Sequence, residues 1–194
     1  MIGTLSGRLT RKKAPHVIVE CNGVGYEVET PMSTFFELPK TGNAVFLHTH
    51  LYVREDIQTL YGFASEEEKH LFRLLLRVSG VGARMALAIL SGMTVADFER
   101  CVQHEDSAML VKIPGIGKKT AERLIIEMRD RIDKAPLEVV SSTRVQPDAR
   151  SEAVDALVSL GYKPAEVRKL LGELDVGDKS AEDLIRLALR QAVR

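Results

Sequence analysis

The chain has only two cysteines, Cys21 and Cys101, far apart and without metal-ligand neighbours, which excludes a disulfide framework and a four-cysteine zinc site. They read as two buried thiols in a reducing compartment. No apolar run approaches the ~20 residues of a membrane span, and the opening Met1-Ile2-Gly3-Thr4-Leu5-Ser6 lacks a signal peptide's hydrophobic core. A cytoplasmic location with no membrane partner is expected. No Gly-x-x-x-x-Gly-Lys-Ser/Thr stretch is present to cradle a nucleotide, so any ATP turnover belongs to a partner, and no cofactor is expected. An excess of either charge is lacking too: six basic and six acidic residues fall in 1–62, twelve and eleven in 63–134, and nine and ten in 135–194. No segment is a basic domain. Binding to nucleic acid therefore requires cations sorted onto one face.

What is present is the composition of a soluble globular protein, 45% hydrophobic and 28% charged. One stretch organises it: Leu110-Val111-Lys112-Ile113-Pro114-Gly115-Ile116-Gly117-Lys118-Lys119-Thr120-Ala121, an apolar run broken by Gly-x-Gly and opening into a helix. Glycines on either side of one apolar residue permit a tight turn and leave amides unobstructed at a helix start, where the dipole favours an anion. Lys118 and Lys119 add charge, and nothing in the stretch could read a base edge. The device is repeated. Val78, Gly80, Val81, Gly82, Arg84, Ala86 and Leu90 stand 35 residues before Ile113, Gly115, Ile116, Gly117, Lys119, Ala121 and Ile125. The pair resembles a tandem helix-hairpin-helix, a sequence-independent phosphate-binding unit that straddles a duplex minor groove. The DNA-binding candidates are Gly80, Val81, Gly82, Arg84, Gly115, Ile116, Gly117, Lys118, Lys119 and Arg123, with Lys119 open to a second reading as a solvent or subunit-interface charge.

In chain order, residues 1–63 alternate in the manner of strands at 16–20, 26–30 and 45–51, with Asn22-Gly23 as a hairpin turn and a short helical turn near Phe35, Phe36 and Leu38. So few short strands bury enough only by closing, which predicts a small OB-type barrel. Residues 64–133 read as all-helical. Ser65-Glu66-Glu67-Glu68 forms a capping box before the stripe Leu71, Phe72, Leu74, Leu75 and Val78, and Thr94 and Asp106 cap later helices. Residues 134–150, with Ala135-Pro136, Ser141-Ser142-Thr143 and Gln146-Pro147, read as a flexible linker. Residues 151–194 read as three short helices, with Pro164 at a first helical position and Ser180 and Asp183 as a capping pair. Leu157, Leu160, Tyr162, Val167, Leu170 and Leu171 supply the core of this bundle, and part of that set is expected to form a docking groove on it. Gly161-Tyr162 resembles the loop of ubiquitin-associated-type bundles, which dock proteins. The fold class is thus α+β and multidomain.

Met1 to Gly7, Val53-Arg54-Glu55-Asp56 with Leu60-Tyr61-Gly62-Phe63, the two hairpins, and Ala153, Leu157 and Leu160-Gly161-Tyr162 together resemble the RuvA family, Holliday-junction-binding components of bacterial branch-migration machinery. Ala83-Arg84 departs from the Pro-Lys frequent in that family but keeps the charge. The resemblance implies a homotetramer, one or two per junction, that holds a four-way DNA junction open in recombination, repair and the SOS response. It implies docking of the hexameric RuvB ATPase on residues 151–194, with the RuvC resolvase as a further partner. It also places Glu55 and Asp56 at the centre of the junction face as an acidic pin, where four subunits gather eight carboxylates. For an arbitrary Glu-Asp pair the plain reading is a solvated turn.

Two other readings compete. A helix-hairpin-helix DNA glycosylase or nuclease needs a catalytic aspartate on the segment after the hairpin helix; Asp130 and Asp133 fall instead at that helix's end, so no catalytic residue is assigned. An interaction scaffold would use the hairpins only to pack helices. His48, His50 and His70 are not expected to hold a metal, since His48 and His50 simply share one face of a strand.

Overall fold

Period-two alternation in the first third of the chain becomes five strands in the computed structural model, which describes residues 1–132, 149–172 and 180–192. These are β1 (Thr4–Lys13), β2 (His16–Cys21), β3 (Val24–Glu29), β4 (Ala44–Val53) and β5 (Gln58–Phe63). Asn22 and Gly23, with φ of 50° and 84°, supply the positive φ that a two-residue hairpin needs and set Cys21 opposite Val24. Strand β1 pairs with β2 at one end and β4 at the other, with a register shift between Leu9 and Arg11. The order β1-β2-β3-β5-β4 then closes through the parallel β3–β5 pair, Glu29 against Tyr61. Closure removes the sheet edges, as the OB-type expectation required. Leu5, Leu9, Val17, Val19, Val28, Val45, Leu47 and Leu60 fill the interior. Helix α1 (Met32–Glu37) lies between β3 and β4 and turns Leu38 inward, while Phe36 stays exposed.

Ser65 caps α2 (Glu66–Leu75) by accepting from the Glu68 amide at 3.2 Å. The other half of the expected capping box differs. Glu68 accepts from the Ala64 amide and from the hydroxyls of Ser33 and Thr34, at 3.2, 2.5 and 2.6 Å, so its carboxylate ties the barrel's helix to the helical domain. Four helices follow: α3 (Ala83–Gly92), α4 (Val95–Gln103), α5 (Ser107–Val111) and α6 (Lys118–Ile132). Thr94 caps α4, and its hydroxyl donates to Asp97 at 2.7 Å, which holds that carboxyl below the usual range. Asp106 accepts from the Ala108 and Met109 amides at the start of α5. Phe72, Leu75, Ile89, Leu90, Phe98, Leu110, Leu124 and Met128 form one core, with Cys101 buried beside it and Cys21 only half-buried on the barrel.

The chain divides into two units, Met1–Glu138 and Val139–Arg194. In the second, α7 (Ala149–Ser159), α8 (Pro164–Gly172) and α9 (Ala181–Ala192) pack around Ala153, Leu157, Val167, Leu171, Leu184 and Ala188. Helix α7 starts at Ala149, two residues inside the stretch expected as linker; residues 134–148 of that expectation lie outside the described residues. Pro164 opens α8, and Ser180 accepts from the Asp183 amide at 3.2 Å. Among the described residues no helix is long and apolar enough to cross a membrane.

Candidate nucleic-acid interface

The repeat seen in sequence is a repeat of geometry. In the first hairpin the Val81 amide donates to the Val78 carbonyl at 3.1 Å and the Ala86 amide to Gly82 at 3.0 Å; in the second, Ile116 donates to Ile113 at 3.1 Å and Ala121 to Gly117 at 2.9 Å. Gly80 and Gly115 hold φ of 80° and 90°, a conformation that costs an L residue about 1–2 kcal/mol. Val78, Val81, Ala86 and Leu90 are buried in the first copy, and Ile113, Ile116, Ala121 and Ile125 in the second. Each hairpin is thus pinned by an apolar plug between two glycines.

That plug is a different part from the one expected of Val81 and Ile116. Their side chains sit in the core and their amides are already bonded to Val78 and Ile113, so they fix the hairpin and offer a ligand little. The available donors lie one step on. The Gly82 and Gly117 carbonyls accept the first helical bonds, so the amides of residues 83–85 and 118–120 have no partner within α3 or α6. No side chain caps α3. A Cβ at Gly82 or Gly117 would meet nothing within 4 Å and neither needs positive φ, so the fold does not require glycine there. What the missing side chain leaves is an open approach to two helix N-termini.

Arg84, Lys118, Lys119 and Arg123 are exposed, and among the described residues they form no ion pair. Some cations elsewhere are paired, Arg8 with Glu20, Lys69 with Glu66, Arg100 with Asp97, Arg129 with Glu105 and Arg186 with Glu182; what sets Arg84, Lys118, Lys119 and Arg123 apart is their place at the start of α3 and α6. Arg123 belongs by sequence to the second hairpin, yet its guanidinium lies against Gly80 of the first. One turn on, the Glu127 carboxylate accepts from the Ser79 amide at 3.4 Å. Helix α6 therefore begins at the second hairpin and lies along the first. Sequence reasoning also passed over Arg77 and Lys112, exposed cations just before each hairpin that obey the same 35-residue offset.

Glu55 and Asp56 are the two central residues of the β4–β5 turn, closed by the Arg54 amide donating to Ile57 at 2.8 Å. Both are exposed, and among the described residues neither has an ion-pair partner. Arg54 is turned back onto its own strand, its Nε donating to the Tyr52 hydroxyl at 2.7 Å. In the C-terminal bundle Leu157, Val167 and Leu171 are core and Tyr162 and Leu170 half-buried, whereas Leu160 is 61% exposed. Leu160 is one residue past the end of α7, where Gly161, with φ of 99°, turns the chain, so it points outward and is not a core residue.

His48 Nδ1 lies 2.6 Å from a Glu66 carboxylate oxygen, and His50 packs edge-on to Phe72 with ring centres 5.7 Å apart. No group of three His, Cys, Asp or Glu side chains converges among the described residues. The Asp130 side chain and Asp133, on which the glycosylase reading depends, lie outside them.

Comparison with known families matches the whole organisation. The RuvA N terminal domain matches residues 1–62, a SAM-like Helix-hairpin-helix tandem residues 72–130, and the RuvA, C-terminal domain residues 148–193. A relative from Thioalkalivibrio sulfidiphilus is 53% identical over 201 residues, one from Methylococcus capsulatus 52% over 201, and one from Pseudomonas aeruginosa 50% over 202, each match covering all of both chains. Each of these relatives is named Holliday junction branch migration complex subunit RuvA. With its barrel, its paired hairpins and its C-terminal bundle each matched in order, the chain belongs to the RuvA family.

Proposed function

We propose that this chain binds four-way DNA junctions without regard to sequence and recruits a motor that moves the branch point. The observation that carries the reading is the duplicated hairpin, in which two helix N-termini stand open beside exposed, unpaired cations. Backbone amides and the dipole of α3 and α6 hold phosphate oxygens, each helix terminus contributing roughly 0.3–1 kcal/mol. Arg84, Lys118 and Arg123 supply charge, with Lys119 beside them. Spent on phosphate oxygens, these groups leave the base edges unread, so the grip stays the same as the sequence passing through it changes. Branch migration requires that property.

Four copies arranged as a plate gather the hairpins on one face, and this sorting reconciles DNA binding with a net charge of zero. Glu55 and Asp56 of each copy stand at the centre, where like charge repels phosphates and favours a junction, which has an open centre, over duplex, which has none. The chain is non-catalytic and acts in the cytoplasm. ATP turnover belongs to the hexameric RuvB partner, docked on residues 151–194 through exposed Leu160 and half-buried Tyr162 and Leu170, and RuvC joins the assembly to resolve the junction. One tetramer suffices to hold a junction, and a second on the opposite face completes a clamp. The test is competition between a synthetic four-way junction and a duplex of the same length and sequence: the junction wins if the reading is right, and equal affinity defeats it.

A further inference from the structure

Residues 53–58, the turn that carries Glu55 and Asp56, are all exposed, and two of them are large and apolar: Val53 is 58% exposed and Ile57 53%. They do not share a face. Residues directly opposite one another in a ribbon lie on the same side, so Val53 goes with Gln58, while the Arg54–Ile57 bond puts Ile57 with Arg54 and Tyr52. The ribbon thus ends in two carboxylates and bears one bare branched side chain on each flat face. Arg54 is the one cation at this tip, and it is drawn back 5.1 Å over the Tyr52 ring.

We propose that this hairpin is a wedge, with Val53 and Ile57 packing against the faces of bases on either side of the crossover. The inference rests on the junction-binding reading above. The carboxylates select the occupant. A phosphate chain is repelled from the tip, whereas a base offers a flat apolar face to Val53 or Ile57 and amino groups at its edge for Glu55 and Asp56 to accept. Apolar side chains set against base steps are a general means of unstacking a duplex. Here they hold the bases at the branch point in a defined place while the carboxylates keep strands apart. A ribbon bare on both faces fits a junction centre, which has base stacks on more than one side.

The experiment uses the full chain and junctions carrying 2-aminopurine either at the crossover or mid-arm. Val53→Thr with Ile57→Thr keeps β-branching and changes only exposed positions, so an unchanged melting temperature verifies the fold. Wild-type protein should alter the crossover fluorescence and leave the mid-arm probe unaffected. The Thr variant should lose more than half of the crossover change, with junction affinity down by about fivefold. Glu55→Gln with Asp56→Asn removes the charge but keeps an oxygen that accepts from base amino groups, so it should retain most of the crossover signal while narrowing the preference for junctions, which separates the wedge from the acidic pin. An undiminished crossover signal in the Thr variant overturns the wedge. So does a change in its sedimentation mass without DNA, since Val53 and Ile57 would then be packing copies together.

Discussion

The guanidinium of Arg123, from the helix of the second hairpin, occupies the place beside Gly80 where a side chain of the first hairpin would begin. Gly80 therefore has two reasons to be glycine, its φ of 80° and its close neighbour. Gly82 has neither. Gly80→Ala should cost about 1–2 kcal/mol from backbone strain alone and displace Arg123. Gly82→Ala and Gly117→Ala should leave the melting temperature unchanged yet weaken junction binding, because the new methyl groups stand in the approach to the open amides. Thermal melts beside junction titrations decide it. If the Gly82→Ala and Gly117→Ala proteins bind as wild type, those amides hold no phosphate.

Neutralising the turn as Glu55→Gln with Asp56→Asn should raise affinity for plain duplex and narrow the preference for junctions. Stability should stay within about 0.5 kcal/mol, since both side chains are exposed and unpaired. Parallel titrations with the two DNAs measure the ratio, and an unchanged ratio reduces the pair to a solvated turn.

A chain ending before Ala149 should bind junctions with full affinity and fail to stimulate branch migration by the motor. Leu160→Ser should produce the same separation without removing the bundle, since the residue lies outside the bundle core. Normal migration with either protein would place the docking surface elsewhere.

Acid should loosen the seam between barrel and helical domain. Burial, then the nearby charges of Arg73 and Lys69, lower the His50 pKa from 6.5. The unfolded chain thus takes up this proton at higher pH than the folded one, so the stabilisation is complete above 6.5 and is lost as pH falls through the folded value. Urea midpoints measured from pH 8 to pH 5 should drop more steeply for wild type than for His50→Leu. Parallel curves would show that His50 is not the source.

Where local pattern decides structure, the sequence was readable. Asn22-Gly23, Ser65, Thr94, Asp106 and Pro164 each act within a few residues of themselves, and each stands where its chemistry predicts. The 35-residue offset was readable because both hairpins solve the same turn with the same residues. Long-range partners were not. Nothing near Glu68 points to Ser33 and Thr34, and nothing near Arg123 points to Gly80, because the topology of a closed barrel and a helix pair makes those meetings. Leu160 leaves the expected core for a related reason: Gly161 turns the chain just past the end of α7 and Leu160 stays outside.

The central claim is that two open helix N-termini and their cations hold the DNA backbone, and the dependence of junction affinity on salt tests it most directly. For wild type, the logarithm of the association constant should fall linearly with the logarithm of salt, with a slope of about 0.9 per phosphate held. Replacing Lys118 and Arg123 by Ala should weaken binding to every sequence alike and flatten that slope by roughly one unit per lost contact. Junction affinity that barely responds to salt, or a slope that survives both substitutions unchanged, would contradict the account.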